Sequence, residues 1–320
     1  MRVLVERRIF LTIVLLFLLS LGGRGQTPAR ASINDIIAGA AEQRKAYINE
    51  FKNLMSQETK TFQVFDKKGQ VKKRRSVVSI FIVYQLSKDD RTIAEYRNVV
   101  SVDGKKIDAA DKRAQDFFEE IAKVDSSKKE LEKLDKEGSR FDDEISLNLF
   151  TLYQSVALAD NMRPFFEFKL DGTEKMGDRD VFVVSYQQTK DSPYILTDPK
   201  KAGVDGKLTL LYDVDFGDNR NLNSRLRGKL WIDALTFQVW KELRVLTVQP
   251  EGLSAAAVFS ENTFEYGSSD FGVLTPKKIA YTQFRIDKKE SVAQKEAAVI
   301  FDYENFTKPH VEVKSADVKN

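Results

Sequence analysis

Apolar residues recur first at a helical spacing and then at a strand spacing. Over residues 33–56 they trace one stripe of a helix, formed by Ile33, Ile36, Ile37, Ala40, Tyr47, Phe51 and Leu54. The period then changes to two over residues 58–66, 74–86 and 93–102, with polar turns at Lys67–Gln70 and Lys88–Asp90. The pattern predicts one helix followed by three strands.

Helical spacing returns in the middle of the chain. A helix is predicted over residues 111–134, with inward-facing side chains at Phe117, Phe118, Ile121, Val124 and Leu131. Residues 141–160 are more apolar and predict a second helix that ends at Arg163-Pro164. Because this second helix is apolar on most of its circumference, we expect it to be buried.

The remainder of the chain is patterned almost entirely as strands. Gly, Asp and Asn occupy the short joins, so strands adjacent in sequence are expected to pair antiparallel. The predicted strands cover residues 165–171, 180–188, 207–216, 226–233, 236–248, 256–266, 276–287 and 296–306. We therefore predict an α+β fold: a large curved antiparallel sheet, an unclosed β-barrel of about 11 strands, covered by about three helices. The concave face would be partly filled by the apolar helix at 141–160.

The N-terminal residues have the pattern of a secretory signal peptide. Arg2, Arg7 and Arg8 precede an apolar run of 13 residues, Ile9 to Leu21, which is shorter than the about 20 residues of a membrane-spanning helix. Cleavage is expected after Ala31 or, alternatively, after Gly25; an uncleaved anchor is the other interpretation. The predicted organisation is a cleaved signal at 1–31, a single β-rich domain at 32–308 and a polar tail at 309–320. The predicted location is the periplasm or the medium, with no stable membrane span after cleavage.

Composition excludes several classes of protein. The chain has no cysteine, which excludes a lipid attached to a lipobox cysteine, thiol catalysis and thiolate metal sites. The formal net charge of +3 arises in the N-terminal segment. Residues 1–31 hold five of the 51 basic residues and one of the 48 acidic residues, which leaves 46 basic and 47 acidic residues. A nucleic-acid partner is therefore not expected.

Candidate chemistry is sparse. His310 is the single histidine, so neither a Ser-His-Asp triad nor a histidine-based zinc site is expected. Residues 213–219 are rich in Asp and Asn but lack the ligand pattern of an EF-hand, since Gly217 and Ser224 stand where oxygen ligands belong. Paired carboxylates of a glycan hydrolase could come from Glu167, Asp213, Asp215, Glu242 and Glu265. We predict no catalytic residue, no cofactor and no metal, and hence no enzyme.

A basic run surrounds the first predicted hairpin turn, with Lys67, Lys68, Lys72, Lys73, Arg74 and Arg75. One interpretation is contact with anionic lipid head groups, at about 1 kcal/mol for each basic residue. The other is a solvated loop that discourages edge pairing. The second interpretation is preferred from the sequence, because no membrane-inserting residue stands at the tip.

One hairpin carries a family resemblance. Gly228-Lys-Leu-Trp-Ile-Asp233-Ala-Leu-Thr-Phe237-Gln-Val resembles a hairpin of the periplasmic lipoprotein-carrier superfamily, the LolA/LolB-like fold. Leu274-Thr-Pro276-Lys-Lys-Ile279 is similar to the strand entry that often follows, and Glu95 to Lys105 resembles part of an uncharacterised family of exported bacterial proteins. The resemblance implies an unclosed barrel covered by helices, with an apolar cavity that shelters or senses acyl chains. It carries over no ligand-binding residue.

These observations give three functional hypotheses. The first is an exported, non-enzymatic carrier or sensor that binds a lipid, a lipoprotein acyl chain or another apolar molecule on the concave face. Phe150, Tyr153, Trp231 and Trp240 are its predicted ligand-lining residues. The second is an envelope protein-interaction or scaffolding module without a ligand cavity, which would expose an apolar patch. The third is a glycan hydrolase with paired carboxylates.

Overall fold

The computed structural model describes most of the chain between residues 31 and 308. The described residues are 31–86, 89–141, 154–198, 207–212, 214, 222–250, 255–286, 293–304 and 306–308. Residues 1–30 and 309–320 lie outside them, and with them most of the predicted signal peptide and the predicted tail. Within the described residues, no helix is both long and apolar enough to cross a membrane.

Three α-helices and a series of long strands form the described part. The helices are α1 (Ile33–Glu50), α2 (Ala110–Ile121) and α3 (Ser127–Gly138). The first strands are β1 (Leu54–Phe65), β2 (Val71–Leu86), β3 (Asp89–Val102) and β4 (Lys105–Lys106). The others are β5 (Phe166–Met176), β6 (Arg179–Gln188), β7 (Ile195–Leu196), β8 (Leu210–Leu211), β9 (Leu222–Asp233), β10 (Val239–Pro250), β11 (Ala257–Gly267), β12 (Thr275–Ile286) and β13 (Ala293–Tyr303).

Eleven strands form one antiparallel sheet in the order β4-β3-β2-β1-β13-β12-β11-β10-β9-β6-β5. Nearly all neighbours in the sheet are neighbours in sequence, as the short turns predict. There are two exceptions. β6 pairs with β9, and β1 pairs with β13 at the two ends of the domain, with Phe62 opposite Val299. No described pairing joins β4 to β5, so the sheet does not close. The predicted α+β fold with a large, unclosed antiparallel sheet is confirmed.

One face of the sheet, which we term the inner face, packs against α1. Two apolar clusters lie on it. The first contains Ile36, Ile37, Ala40, Leu158, Met162, Leu226, Leu230, Ile232, Leu246 and Val248. The second contains Tyr47, Phe51, Leu54, Phe62, Phe81, Phe264, Ile279, Val299 and Phe301. The first half of α1 therefore belongs to one cluster and its last turn to the other.

Helix α1 starts as its sequence predicts but ends earlier. Ser32 and Asp35 form a capping box at its start. It ends at Phe51, whose N–H donates to the Tyr47 carbonyl, and Asn53 adopts a φ of 55° before β1 begins. The predicted end at residue 56 is wrong, because Leu54 pairs opposite Val83 as the first inner-face residue of β1.

Helices α2 and α3 pack on β3, near one edge of the sheet. The ring of Tyr96 stacks on Phe117 at 5.0 Å and contacts Phe118 at 4.8 Å, and Ile121 and Leu134 bury the same ring. The single helix predicted over 111–134 is in fact two helices, because the Ser126 hydroxyl caps a new helix start at Ser127. The helical pair shields a strand whose backbone groups would otherwise be open to another chain.

Three other local predictions are wrong. The helix predicted over 141–160 is, in its described part 154–160, a turn and a 3₁₀ helix at Val156–Leu158; residues 142–153 lie outside the described residues. Among the described residues of the strand predicted over 207–216, namely 207–212 and 214, only Leu210–Leu211 form a strand, β8, and it pairs parallel with β7. The turn predicted at 88–90 is replaced at Asp89 by the start of β3. Buried apolar runs look alike whether they fold as turns, strands or helices.

Candidate functional site

The hairpin between β9 and β10 positions α1 on the inner face. Asp233 Oδ1 accepts hydrogen bonds from the N–H groups of Leu235 and Thr236, both at 2.9 Å. This turn places Phe237, at a φ of 59°, against the backbone of α1 at Gly39. A Cβ atom on Gly39 would lie 2.7 Å from Phe237 Cγ, so only glycine permits this approach. The hairpin that carries the family resemblance therefore contacts α1 directly and fixes its position on the sheet.

Gly228 of the same hairpin makes room for an aromatic ring. A Cβ atom on Gly228 would lie 2.6 Å from both Cζ and the hydroxyl oxygen of Tyr186, and it would overlap the Leu243 carbonyl oxygen. Tyr186 crosses β9 at this point, so its hydroxyl reaches Glu242 on β10. The glycine that carries the family resemblance is therefore required by side-chain packing on the inner face.

Glu242 is a buried carboxylate that four donors satisfy. Its oxygens accept from Tyr186 Oη at 3.1 Å, from the Ser155 N–H at 2.8 Å, and from Arg244 Nε and Nη2 at 3.0 Å each. Glu242 is 0% exposed and Arg244 is 3% exposed. Burial opposes the charge of Arg244, but the adjacent Glu242 and tyrosines outweigh it and raise the pKa of that guanidinium. This arrangement fixes residue 155 to the sheet.

The other carboxylates proposed for a hydrolase do not join Glu242. Glu265 pairs opposite Lys241 and lies on the outer face, where Lys241 Nζ is 3.0 Å from its carboxylate. Glu167 is exposed on the edge strand β5. Asp213 and Asp215 lie outside the described residues. The three candidate carboxylates that the structure describes, Glu167, Glu242 and Glu265, are therefore not brought together.

A second buried ion pair lies on the inner face near α3. Arg97 Nε donates to Glu58 Oε1 at 2.8 Å, and Arg97 Nη2 donates to Glu95 Oε2 at 3.0 Å. The guanidinium carbon of Arg97 is 4.9 Å from the centre of the Phe81 ring. Burial opposes the positive charge, but Glu58 and Glu95 outweigh it and raise the pKa of Arg97. Both ion pairs lie within apolar surroundings. Glu242 and Arg244 share one strand, β10, whereas Glu58 and Arg97 link β1 to β3 across β2.

A crevice of about 280 Å³ opens where the second half of α1 crosses the inner face. Residues of α1, of the 271–274 loop and of the β10 start line it: Gln43, Ala46, Tyr47, Glu50, Gln154, Gln238, Val239, Phe271, Gly272, Val273 and Leu274. Residues of the two apolar clusters, among them Tyr47, Val239 and Leu274, form part of its wall. Away from the crevice, side chains of the two apolar clusters pack between α1 and the inner face.

Several buried polar groups around the crevice lack a partner. The hydroxyl groups of Tyr47 and Tyr266 and the indole N–H of Trp240 make no hydrogen bond to any described residue. The two tyrosine rings meet edge to face, with centroids 6.1 Å apart. Burial raises the pKa of both tyrosines well above the ordinary value, so both hydroxyls keep their protons. A buried donor without an acceptor destabilises a protein by about 1–3 kcal/mol, so this cluster favours a bound acceptor.

The predicted ligand-lining residues separate in the structure. Trp240 lies in a bulge of β10 beside the crevice, against the second apolar cluster and 3.4 Å from the guanidinium carbon of Arg179. Trp231 projects from the opposite side of β9 to Leu230, and its Nε1 donates to Glu174 at 3.2 Å. Phe150 and Tyr153 lie outside the described residues. The sequence did not predict Tyr47 and Tyr266 as ligand-lining residues, because each occupies an ordinary apolar position of a helix or a strand.

A second cleft, of about 570 Å³, lies at the end of β6 and β9. Its walls are mainly polar and include Gln188, Asp191, Ser192, Asn223 and Arg225. Arg225 Nη1 is paired with Asp191 Oδ1 at 2.7 Å. No buried polar group lining this cleft lacks a partner among the described residues. The crevice under α1 is therefore the better candidate site.

Metal chemistry finds no support among the residues that the structure places. No group of three or more His, Asp or Glu side chains could hold a metal ion there. Most of the Asp-rich run at 213–219 lies outside the described residues, as does His310.

Comparison with known proteins gives two structural similarities. No protein-family model and no curated protein matches the chain. A LolA superfamily protein from Nitrosomonas europaea is similar at 11% identity and a TM-score of 0.31, over 89% of this chain and 96% of that chain. A DUF1329 family protein from Desulfovibrio piger is similar at 10% identity and a TM-score of 0.28, over 88% of this chain and 95% of that chain. The first of these two proteins carries the name of the superfamily that the Gly228–Val239 hairpin resembles.

Replacing Gly228 by alanine tests the packing beneath the hairpin. We expect Gly228→Ala to lower the free energy of unfolding by about 1–3 kcal/mol, because the methyl group displaces Tyr186 from Glu242. Urea denaturation followed by circular dichroism measures it. Gly267→Ala is the matched control, since no atom lies within 4 Å of its Cβ position. Equal stability of the two variants would refute the role of Gly228.

Proposed function

We propose that this protein binds an apolar molecule with a hydrogen-bond acceptor between α1 and the inner face of the sheet. Its role is binding rather than catalysis. The observation that carries the proposal is the cluster of unpaired buried donors, Tyr47, Tyr266 and Trp240, beside an apolar crevice. Apolar walls with a few convergent polar groups are the usual composition of a small-molecule site.

The chemistry of the site favours a lipid acyl chain with its carbonyl group. Tyrosine hydroxyls that remain protonated and an indole N–H can donate, which suits an ester, amide or carboxyl oxygen. The surrounding side chains of Phe51, Val273 and Leu274 are buried and apolar, which suits a hydrocarbon chain. The site therefore matches a fatty acid, a lipid or a lipoprotein acyl chain.

The volume of the crevice implies that α1 moves when a ligand enters. About 280 Å³ is just below the about 300–1,000 Å³ of typical ligand pockets. Helix α1 contributes Ile36, Ile37 and Tyr47 to the two apolar clusters on this face. Displacement of α1 would exchange protein side chains for ligand at two apolar clusters. In this proposal α1 acts as the cover of the site.

The alternative role as an envelope scaffold has less support. Such a module would expose a contiguous apolar patch. The large apolar side chains exposed in the described part are Val71, Phe118, Leu211 and Leu235. They lie on four different segments, and exposed apolar residues scattered singly are normal on soluble proteins.

Binding of a fluorescent fatty acid tests the site directly. We expect saturable binding that weakens about three- to tenfold in Tyr47→Phe and in Tyr266→Phe, which is the effect of one lost hydrogen bond. Tyr96→Phe is the matched control, because its buried hydroxyl also lacks a described partner but lies against α2. Failure of the delipidated protein to take up the probe would refute the proposal, as would an equal loss in all three variants.

A reversible cross-link tests the movement of α1. The Cβ position at Gly39 lies 3.2 Å from Phe237 Cβ, close to the about 3.5–4.5 Å found in disulfides. Because the chain has no cysteine, a Gly39→Cys/Phe237→Cys variant has a single possible intramolecular disulfide. We expect at least about tenfold weaker probe binding when it is oxidised and recovery on reduction. Phe237→Cys alone and the reduced double variant are the controls, and undiminished binding in the cross-linked protein would show that α1 is not the cover.

Location and processing form a separate part of the proposal. We infer that residues 1–31 direct export and are removed, which leaves one domain at 32–308 and a polar tail in the periplasm or the medium. Cell fractionation and N-terminal sequencing of the mature protein measure this. We expect a mature N-terminus at Ser32, or at Gln26 if cleavage follows Gly25. Recovery of the intact chain from the cytoplasm would contradict it.

A further inference from the structure

The hairpin of β1 and β2 concentrates positive charge at one end of the sheet. We term residues 66–75 the basic arm. Lys67, Lys68, Lys72, Lys73 and Arg74 are all exposed, and Asp66 is the single acidic residue of the arm. Without residues 1–31 the chain carries 46 basic and 47 acidic residues, so the arm stands out against a nearly neutral body.

The arm projects beyond its neighbour on one side. Pairing of β2 with β3 stops at Val77 opposite Val102, so residues 71–76 of β2 extend past it. Six residues of extended strand span about 20 Å. The base of the arm is anchored, since Asp103 Oδ1 accepts from the Ser76 N–H at 2.8 Å. On the other side the arm stays in the sheet, because Val64, opposite Lys73, also pairs with Ala297 of β13. The arm is therefore free of a neighbouring strand on its β3 side.

The turn of the arm has a defined conformation. Asp66 Oδ1 accepts from the N–H groups of Lys68 and Gln70 at 2.8 and 2.9 Å, and Gly69 has a φ of 76°. The one carboxylate is thus engaged with the backbone of the turn. The Asp66 carboxylate thereby orders the turn on which Lys67 and Lys68 are exposed.

We propose that the basic arm docks the protein onto the surface of an anionic phospholipid bilayer. Successive residues of a strand face opposite ways, so Lys72 and Arg74 lie on one side of the arm and Lys73 on the other. Charge spread over both sides suits a continuous negative surface better than a single pocket in a partner protein. Val71 lies among these basic residues and is 49% exposed, so it adds an apolar contact with the bilayer surface. This inference is independent of the site under α1.

Vesicle co-sedimentation tests the docking. The purified mature protein is mixed with vesicles of phosphatidylcholine alone, or with vesicles that also contain about one third phosphatidylglycerol. The measured quantity is the partition coefficient on the anionic vesicles divided by that on the neutral vesicles. This ratio removes any binding that does not depend on charge. We expect the ratio to exceed about a hundredfold, to fall about a hundredfold in Lys67→Gln/Lys68→Gln/Lys72→Gln, and to decline with added salt.

A matched variant separates local charge from total charge. Lys112→Gln/Lys123→Gln/Lys136→Gln removes the same charge from exposed positions of α2, α3 and their connection, and it should keep the wild-type ratio. Thermal melts confirm that both variants are folded. The proposal is overturned by equal binding to both vesicle types, by equal losses in the two variants, or by binding confined to an acidic protein or polyanion. Because no fatty-acid probe is involved, failure here would leave the site under α1 untouched.

Discussion

The burial of the inner face by α1 is the interaction on which the rest of the structure depends. An open sheet has to cover its apolar face with another element, because exposed apolar area favours aggregation or unfolding. Helix α1 contributes Ile36 and Ala40 to one cluster and Tyr47 to the other, and so links the two halves of the face. Its position is set by Gly39 against Phe237, and hence by the β9–β10 hairpin.

Two buried ion pairs link separate segments on the inner face. Glu242 with Arg244 and Glu58 with Arg97 lie among aromatic rings, where an unpaired ion would be strongly destabilising. Complete pairing removes that penalty and ties distant segments to the sheet, as the Ser155 N–H on Glu242 demonstrates. The hydrogen-bond donors of Tyr47, Tyr266 and Trp240, in contrast, have no acceptor among the described residues. A bound acyl carbonyl would give the neighbouring hydroxyls of Tyr47 and Tyr266 an acceptor.

The edges of the sheet are protected in a different way from its inner face. The β3 edge is shielded by α2 and α3, whereas β5 at the other edge carries charged side chains such as Lys169 and Glu174. The basic arm extends from the same sheet without any covering helix. Ligand binding and membrane docking would thus occupy separate parts of the molecule, one on the inner face and one at the tip of a hairpin.

The sequence by itself determined the strand pattern, the antiparallel pairing of neighbours and the α+β class, because alternation and turn residues are local signals. It also marked the hairpin at Gly228 and the basic run at 67–75. Tertiary structure alone decided that Leu54 starts a strand, that residues 156–158 form a 3₁₀ helix, and that Trp231 and Trp240 separate. It alone brought Tyr47 next to Tyr266, more than 200 positions apart in the sequence. Such choices depend on which buried partner completes each residue's packing and hydrogen bonds, and that partner is distant along the chain.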